Sequence, residues 1–302
     1  MTANTATRKL NTLLTSFERR RPMRAGSLIV TIYGDAIVPR GGSLWLGSLL
    51  DMMAGFGVEP GLVRTAISRL VTDGWFERTR LGKHSYHRLS AQRAAEFAAA
   101  TTRIYRASDP AWSGEMDIAI ITSADAAVRG AYRDRMLQQG YGQAAANVVL
   151  RPRMSGVSGH PEPEPGDIIS MVTRPESEEK AKALAQTCWQ LDELTAAYGK
   201  FLKAFSPVAQ EIADGALLTG AQAFQLRVLL VHDWRRIVLR DPLLPRALLP
   251  ADWPGTPARA LIAGVYRRIL GGSERWLDLH AVDQNGALPP PPADLERRFL
   301  GA

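Results

Sequence analysis

The chain has one cysteine, Cys188, in 302 residues, which excludes an intramolecular disulfide framework and fits a reducing compartment. It has no run of about 18 apolar residues that could cross a bilayer. Its N-terminal stretch MTANTATRKLNTLL lacks the apolar core of a secretion signal. A cytoplasmic protein without a membrane partner is therefore expected. Catalytic signatures are missing as well: there is no GxSxG, no P-loop and no GxGxxG, and the glycine-rich PRGGS lies between two predicted helices rather than after a strand. Among the five histidines only His84 and His87 are close, and no cysteine or acid is placed to complete a zinc site with them. Neither a metal nor a cofactor is expected, nor is an enzyme. Cys188 falls at helical intervals with Leu184, Leu191 and Leu194 and reads as a core residue rather than a nucleophile.

What is present is a globular composition, 46% hydrophobic and 22% charged, with a net charge of +7 that is unevenly placed. Residues 1–106 carry 16 Lys+Arg against 7 Asp+Glu, a net of +9; residues 107–174 carry 6 against 8, and residues 175–302 carry 15 of each. A basic first third joined to near-neutral remainders points to a polyanion partner for the first third alone, nucleic acid before membrane.

Within that third, Pro60 suits the first turn of a helix and Gly57 the end of the preceding one, so EPGLVRTAISRLVT (59–72) is predicted as a helix behind a turn. At helical spacing Val63, Ala66, Ile67 and Leu70 fall on one side, and Gly61, Arg64, Thr65, Ser68, Arg69 and Thr72 on the other. Small, hydroxylated and guanidinium side chains suit close approach to base edges and phosphates. A solvated amphipathic helix has the same period, so the flanks decide. Upstream, SLIVTIYGDAIV (27–38) has strand propensity, yet its apolar residues recur at i, i+4 and i+8, which favours a buried helix. Pro39–Gly42 is a break, after which Ser43 is expected to cap a helix over 44–55. Downstream, alternating segments on either side of Leu81-Gly82-Lys83 fit a β-hairpin.

Three helices followed by a hairpin is the order of a winged helix-turn-helix, expected over residues 25–90, with the third helix in the major groove and the hairpin on phosphates or the minor groove. The expected DNA contacts are Arg40, Ser43, Arg64, Thr65, Ser68, Arg69, Arg78, Arg80, Lys83 and His84. Residues 1–24 read as a short helix and a basic arm, Arg19-Arg20-Arg21 with Pro22 and Arg24, that either grips phosphate or is a solvated tail. One such helix reads too few bases for a specific site, so a homodimer on an inverted repeat is expected.

In its GDAI–PRGG, WLGSLL, FGV–LVRTA–SRL and DGW elements this stretch resembles the N-terminal domain of the PaaX family, repressors of bacterial phenylacetic acid catabolism. Later elements, HDWRR, RDPLLP–ALLP and DWPG, resemble the same family's C-terminal domain. The resemblance implies double-stranded operator DNA as a partner, a Cas2-like central domain and an acyl-CoA effector, phenylacetyl-CoA in the best-known members.

The rest of the chain reads as a linker (91–111) that begins as a helix, then an α/β segment (112–175) and a mostly helical C-terminal domain (176–302) for effector binding and dimerisation. In 112–175, strand (116–122), helix (126–140), strand (147–152) and strand (167–173) fit a ferredoxin-like sandwich. The fold class is thus α+β. A nuclease of that fold holds a metal with acids, and Asp117 and Asp125 frame the first strand, so a metal-dependent nucleic-acid-processing enzyme is the alternative reading. For an effector, His232, Trp234, Arg235, Arg236 and Arg240 lie within three turns of one helix and Trp253 follows. This cationic and aromatic group suits the phosphates and adenine of a CoA thioester or an aromatic acyl group. Alternatively, Arg236 and Arg240 pair with Asp233, Asp241 or Asp252 and pin the helix to the loop. The proline-rich tail NGALPPPPADLERRFLGA is expected to be partly disordered.

Overall fold

The computed structural model describes residues 2–20, 25–106, 111–154 and 168–299. It is α+β with antiparallel sheets. Contacts divide the chain into two compact units, one of residues 1–107, 199–239 and 256–302, the other of residues 108–198 and 240–255.

The first unit begins with α1 (Thr2–Glu18) and α2 (Ala25–Ile32), the latter running on through a π turn (Tyr33–Ile37) and a 3-10 turn (Val38–Arg40). The β-branched SLIVTIYGDAIV is helical because it is buried on most sides: Leu28, Ile29, Ile32, Tyr33, Ala36 and Ile37 lie inside, with Ser27, Val30, Gly34 and Val38 partly buried, and tertiary burial overrides strand propensity. Ser43 does not cap a helix. Ser43–Trp45 form a short strand, β1, ahead of α3 (Leu46–Ala54), and the N-cap position falls on Trp45. Next come α4 (Pro60–Thr72) and the hairpin strands β2 (Phe76–Leu81) and β3 (His84–Leu89). The sheet order is β1-β3-β2, with Ser43 opposite Arg88 and Leu81 opposite His84. Gly82, at φ +57°, takes the first position of the two-residue turn, a backbone region other residues avoid.

Helix α5 (Ala94–Tyr105) follows. The unit's other helices are the part of α8 (Leu191–Ala213) from Gly199 onward, α9 (Gly220–Val238) and α10 (Gly255–His280) from Thr256, with the small hairpin β8 (Val282–Asp283) and β9 (Gly286–Ala287) last. Helix α9 opens with a capping box in which Thr219 and Gln222 satisfy each other's backbone N–H.

Buried charge joins these elements. Asp35, in the π turn, has no exposed side-chain surface; its Oδ2 accepts from Arg227 Nε of α9 at 2.5 Å and its Oδ1 from Arg298 Nη1 at 2.8 Å. The hydroxyls of Tyr105 and Tyr266 donate to Oδ1 at 2.5 and 2.9 Å. Arg227 also binds Glu274 of α10, whose Oε2 accepts from Arg40 Nη1 at 3.0 Å, while Arg40 Nη2 reaches Asp278 at 2.6 Å. Three guanidiniums thus face three carboxylates. The tail, expected to be partly disordered, is packed as far as Phe299: Arg40 Nε donates to Pro289 O at 2.7 Å, Leu295 is buried, and the Phe299 ring sits 5.1 Å from Tyr105 and 5.3 Å from Tyr266. A carbonyl owed to a guanidinium and a ring seated between two tyrosines outweigh the tail's proline-rich composition.

The second unit contains β4 (Trp112–Ile121), α6 (Ala126–Gln138), β5 (Gly142–Ala145), β6 (Val148–Met154), β7 (Ile168–Thr173) and α7 (Glu178–Cys188). Its antiparallel sheet runs β5-β6-β4-β7, one strand more than the sequence pattern predicts, because β5 is only GQAA and carries no strand signal of its own. Ala119, Met136, Tyr141 and Val149 form its core. Cys188 packs against Gly142, and burial pushes its thiol up to about 11, as suits a core residue. The link HPEPEPG (160–166) lies outside the described residues.

Burial alone would raise the carboxyl of Asp35; Arg227, Arg298 and the two tyrosine hydroxyls outweigh it and hold it below the usual carboxylate range. Its stabilisation is therefore present above the unfolded carboxyl value near 4 and lost as pH falls through the lower folded one. Asp35→Asn, which removes the carboxylate shared by two buried guanidiniums, is expected to cost about 3–5 kcal/mol in urea denaturation at neutral pH. The variant should also lose less stability than wild type on acidification below about pH 4.

Candidate nucleic-acid interface

Helix α4 starts where Glu59 is extended (φ −60°, ψ 139°) and Pro60 takes the first helical position, where its missing N–H costs nothing. Gly57, at φ +69°, ends the turn before it. Val63 and Ile67 are buried, and Leu70 packs on Gly26 of α2, so the apolar side of α4 is fixed against the core. Arg64, Thr65, Ser68, Arg69 and Thr72 are exposed, and α4 contains no carboxylate. Thr65 and Thr72 donate their hydroxyls to Gly61 O and Ser68 O at 3.0 and 3.1 Å, leaving oxygen lone pairs outward.

The hairpin presents Arg78, Arg80, Lys83 and Arg88 to solvent, while Phe76 is buried edge-on to Tyr33, the ring centroids 4.6 Å apart. His84 is half-buried, edge-on to Trp45 at 5.3 Å. His87, an odd number of residues along the same strand, points to the opposite side and is buried; burial first, then Arg78, pulls its imidazole down to about 4. His84 and His87 thus do not share a face. Among the described residues no three His, Cys, Asp or Glu side chains gather at one point. Asp117 pairs with Arg151 at 3.3 Å, and Asp125 caps α6 by accepting from Ala127 N at 2.7 Å.

Of the expected DNA contacts, Arg64, Thr65, Ser68, Arg69, Arg78, Arg80 and Lys83 are exposed on α4 and the hairpin, while half-buried His84, opposite Leu81, lies on the other face of the hairpin from Arg78 and Arg80. Arg40 and Ser43 are not available. Arg40 is 1% exposed within its ion pairs, and Ser43 donates to Gln284 Oε1 at 2.6 Å. In the basic arm, Arg20 grips Asp233 at 2.6 and 2.7 Å and lies over Phe17; Arg21, Pro22 and Arg24 lie outside the described residues.

The expected effector residues divide. His232 is buried against Thr31 at 3.0 Å, and burial pulls it down to about 3. Trp234 is fully buried, its Nε1 donating to Ile104 O at 2.9 Å. Trp253 is buried in the second unit, edge-on to Tyr198 at 5.7 Å. These three are interior side chains, because the helix that carries the first two is enclosed on nearly every side. Arg236 and Arg240 are exposed, on different units. Asp233 binds Arg20 and Asp241 accepts from Tyr198 at 2.6 Å, and Arg236 and Arg240 each have partners as well. Arg235 lines a cavity.

The sequence reading missed Asp35 and Arg227. A lone charge inside an apolar run, as in TIYGDAIV and LRVLLV, was the available signal, since such a charge needs a buried partner.

Residues 24–93 match the family model described as PaaX-like protein, and residues 189–279 that of the PaaX-like protein C-terminal domain. The chain is 32% identical over 301 residues to the transcriptional repressor PaaX of Escherichia coli (strain K12), covering 97% of this chain and 95% of that one. Among solved structures it is similar to the uncharacterized protein Rv0674 from Mycobacterium tuberculosis, at 26% identity and a TM-score of 0.50, covering 75% of this chain and 90% of that one. Among the described residues no helix is long and apolar enough to cross a membrane.

Arg64→Ala and Arg69→Ala are each expected to weaken binding to a duplex selected from random sequence by about 1–3 kcal/mol, the range for a lost base-edge contact. Lys83→Ala should instead lower the slope of log affinity against log salt by about one phosphate contact. Fluorescence anisotropy across salt concentrations separates the two, and unchanged affinity in both arginine variants would exclude α4 as the reading helix.

Proposed function

Because the chain belongs to the PaaX family, we propose that it is a DNA-binding transcriptional repressor of an aromatic-acid (phenylacetate) catabolic operon, released by an aryl-acyl-CoA such as phenylacetyl-CoA. The observation that supports DNA reading most directly is the exposed, carboxylate-free face of α4 beside a basic hairpin. In this reading α2, α3, α4 and the hairpin are a winged helix-turn-helix, with Arg64 and Arg69 on base edges and Arg78, Arg80 and Lys83 on phosphates. The four-stranded sheet with α6, within residues 112–175, is the Cas2-like central domain, and the helices of residues 176–302 carry effector sensing and dimerisation. Two copies on an inverted repeat double the contacts that one helix makes.

Release requires that the ligand bind the DNA-incompetent conformation more tightly than the competent one. Moving the population from 1:99 to 99:1 takes a preference of about 10⁴-fold. In a mobility-shift assay with the selected operator, phenylacetyl-CoA is expected to free the DNA, whereas phenylacetate or CoA alone leaves it bound. DNA that stays bound with all three would contradict the sensing half of the proposal.

A further inference from the structure

Between α2, α5 and α9, within the first unit, lies a cavity of about 130 Å³ walled by Val30, Ile104, Val231 and Leu239 and, on one side, by Trp75 and Phe97. An enclosed apolar cavity of about 150 Å³ takes a benzene ring, and this one, slightly smaller, is partly open to solvent, so that a longer ligand can extend out of it. Phe97 lies against bare backbone: a Cβ on Gly34 would come within 2.8 Å of its ring. Arg235 lines the same space. Its Nη2 donates to Ser27 O at 2.8 Å and Ser27 Oγ at 2.7 Å, both neutral, while its Nε is buried without a hydrogen-bond partner. Arg235 makes no ion pair among the described residues. A guanidinium in that state favours an oxygen acceptor, and burial and Arg236 already pull it down to about 10.

We propose that this cavity takes the arylacetyl end of an acyl ligand, its ring against Trp75 and Phe97 and its carbonyl oxygen toward the Arg235 guanidinium. The inference rests on the acyl-sensing reading and gives it an address. Trp75 makes the site regulatory: it stands between α4 and β2, its N–H bonded to Leu70 O at 2.9 Å and its carbonyl to Ser90 N at 3.0 Å. A ring that presses on Trp75 acts on the joint between the reading helix and the hairpin.

Calorimetric titration of the full chain with phenylacetyl-CoA and with phenylacetate tests this, the two arms separating a thioester from a free acid. Ala100→Phe, which fills the cavity, is expected to weaken whichever compound binds by about tenfold or more. Leu239→Ala, which enlarges it, should shift preference toward the naphthylacetyl homologue of that compound, a gain that misfolding cannot produce. Wild-type affinity in Ala100→Phe, or no shift in preference in Leu239→Ala, overturns the cavity and leaves acyl sensing standing. A wild-type chain that binds neither compound overturns both.

Discussion

The first unit depends on one buried carboxylate. Asp35 sits at a π turn with no exposed side-chain surface and is shared by Arg227 from α9, Arg298 from the tail and the hydroxyls of Tyr105 and Tyr266. Desolvating such charges costs several kcal/mol per ion, so the network adds little net stability over a well-packed apolar core. What it adds is exclusivity. Removing a charged member leaves a buried charge short of a partner, which favours one mutual arrangement of α2, α5, α9, α10 and the tail. Arg40 carries the network on through Glu274 and Asp278 to the turn that precedes β1.

That arrangement bears on the proposed function. Helix α4 rests on α2, and α2 is latched along its length by α9: Ser27 by Arg235, Thr31 by His232 and Asp35 by Arg227. Helix α9 is thus connected to α4, the helix proposed to read DNA, through one packed helix with no loop between. The proposed arylacetyl cavity opens beside this latch, and Arg235 belongs to both.

The sequence made legible what depends on local period. The two faces of α4, the hairpin turn at Gly82 and the helix hidden in SLIVTIYGDAIV follow from spacing and turn residues, because each is set by neighbours close in sequence. It concealed what depends on distant partners. Arg40 in a glycine-rich turn reads as a phosphate contact until Glu274 and Asp278, more than 230 positions away, are seen beside it. Likewise HDWRR has the composition of an effector pocket, yet most of it is an inward-facing latch: His232, Asp233 and Trp234 are held by Thr31, Arg20 and Ile104. Strand β1 is three residues long and owes its extended form to β3, which its own sequence cannot signal.

If the Asp35 network makes one cooperative body of α2, α9 and α10, their slowest-exchanging amides must open together. Native-state hydrogen exchange under increasing denaturant measures this. The account predicts that the protected amides of these three helices merge into one opening with a common free energy. Opening of α2 at a distinctly lower free energy than α9 and α10 would contradict it.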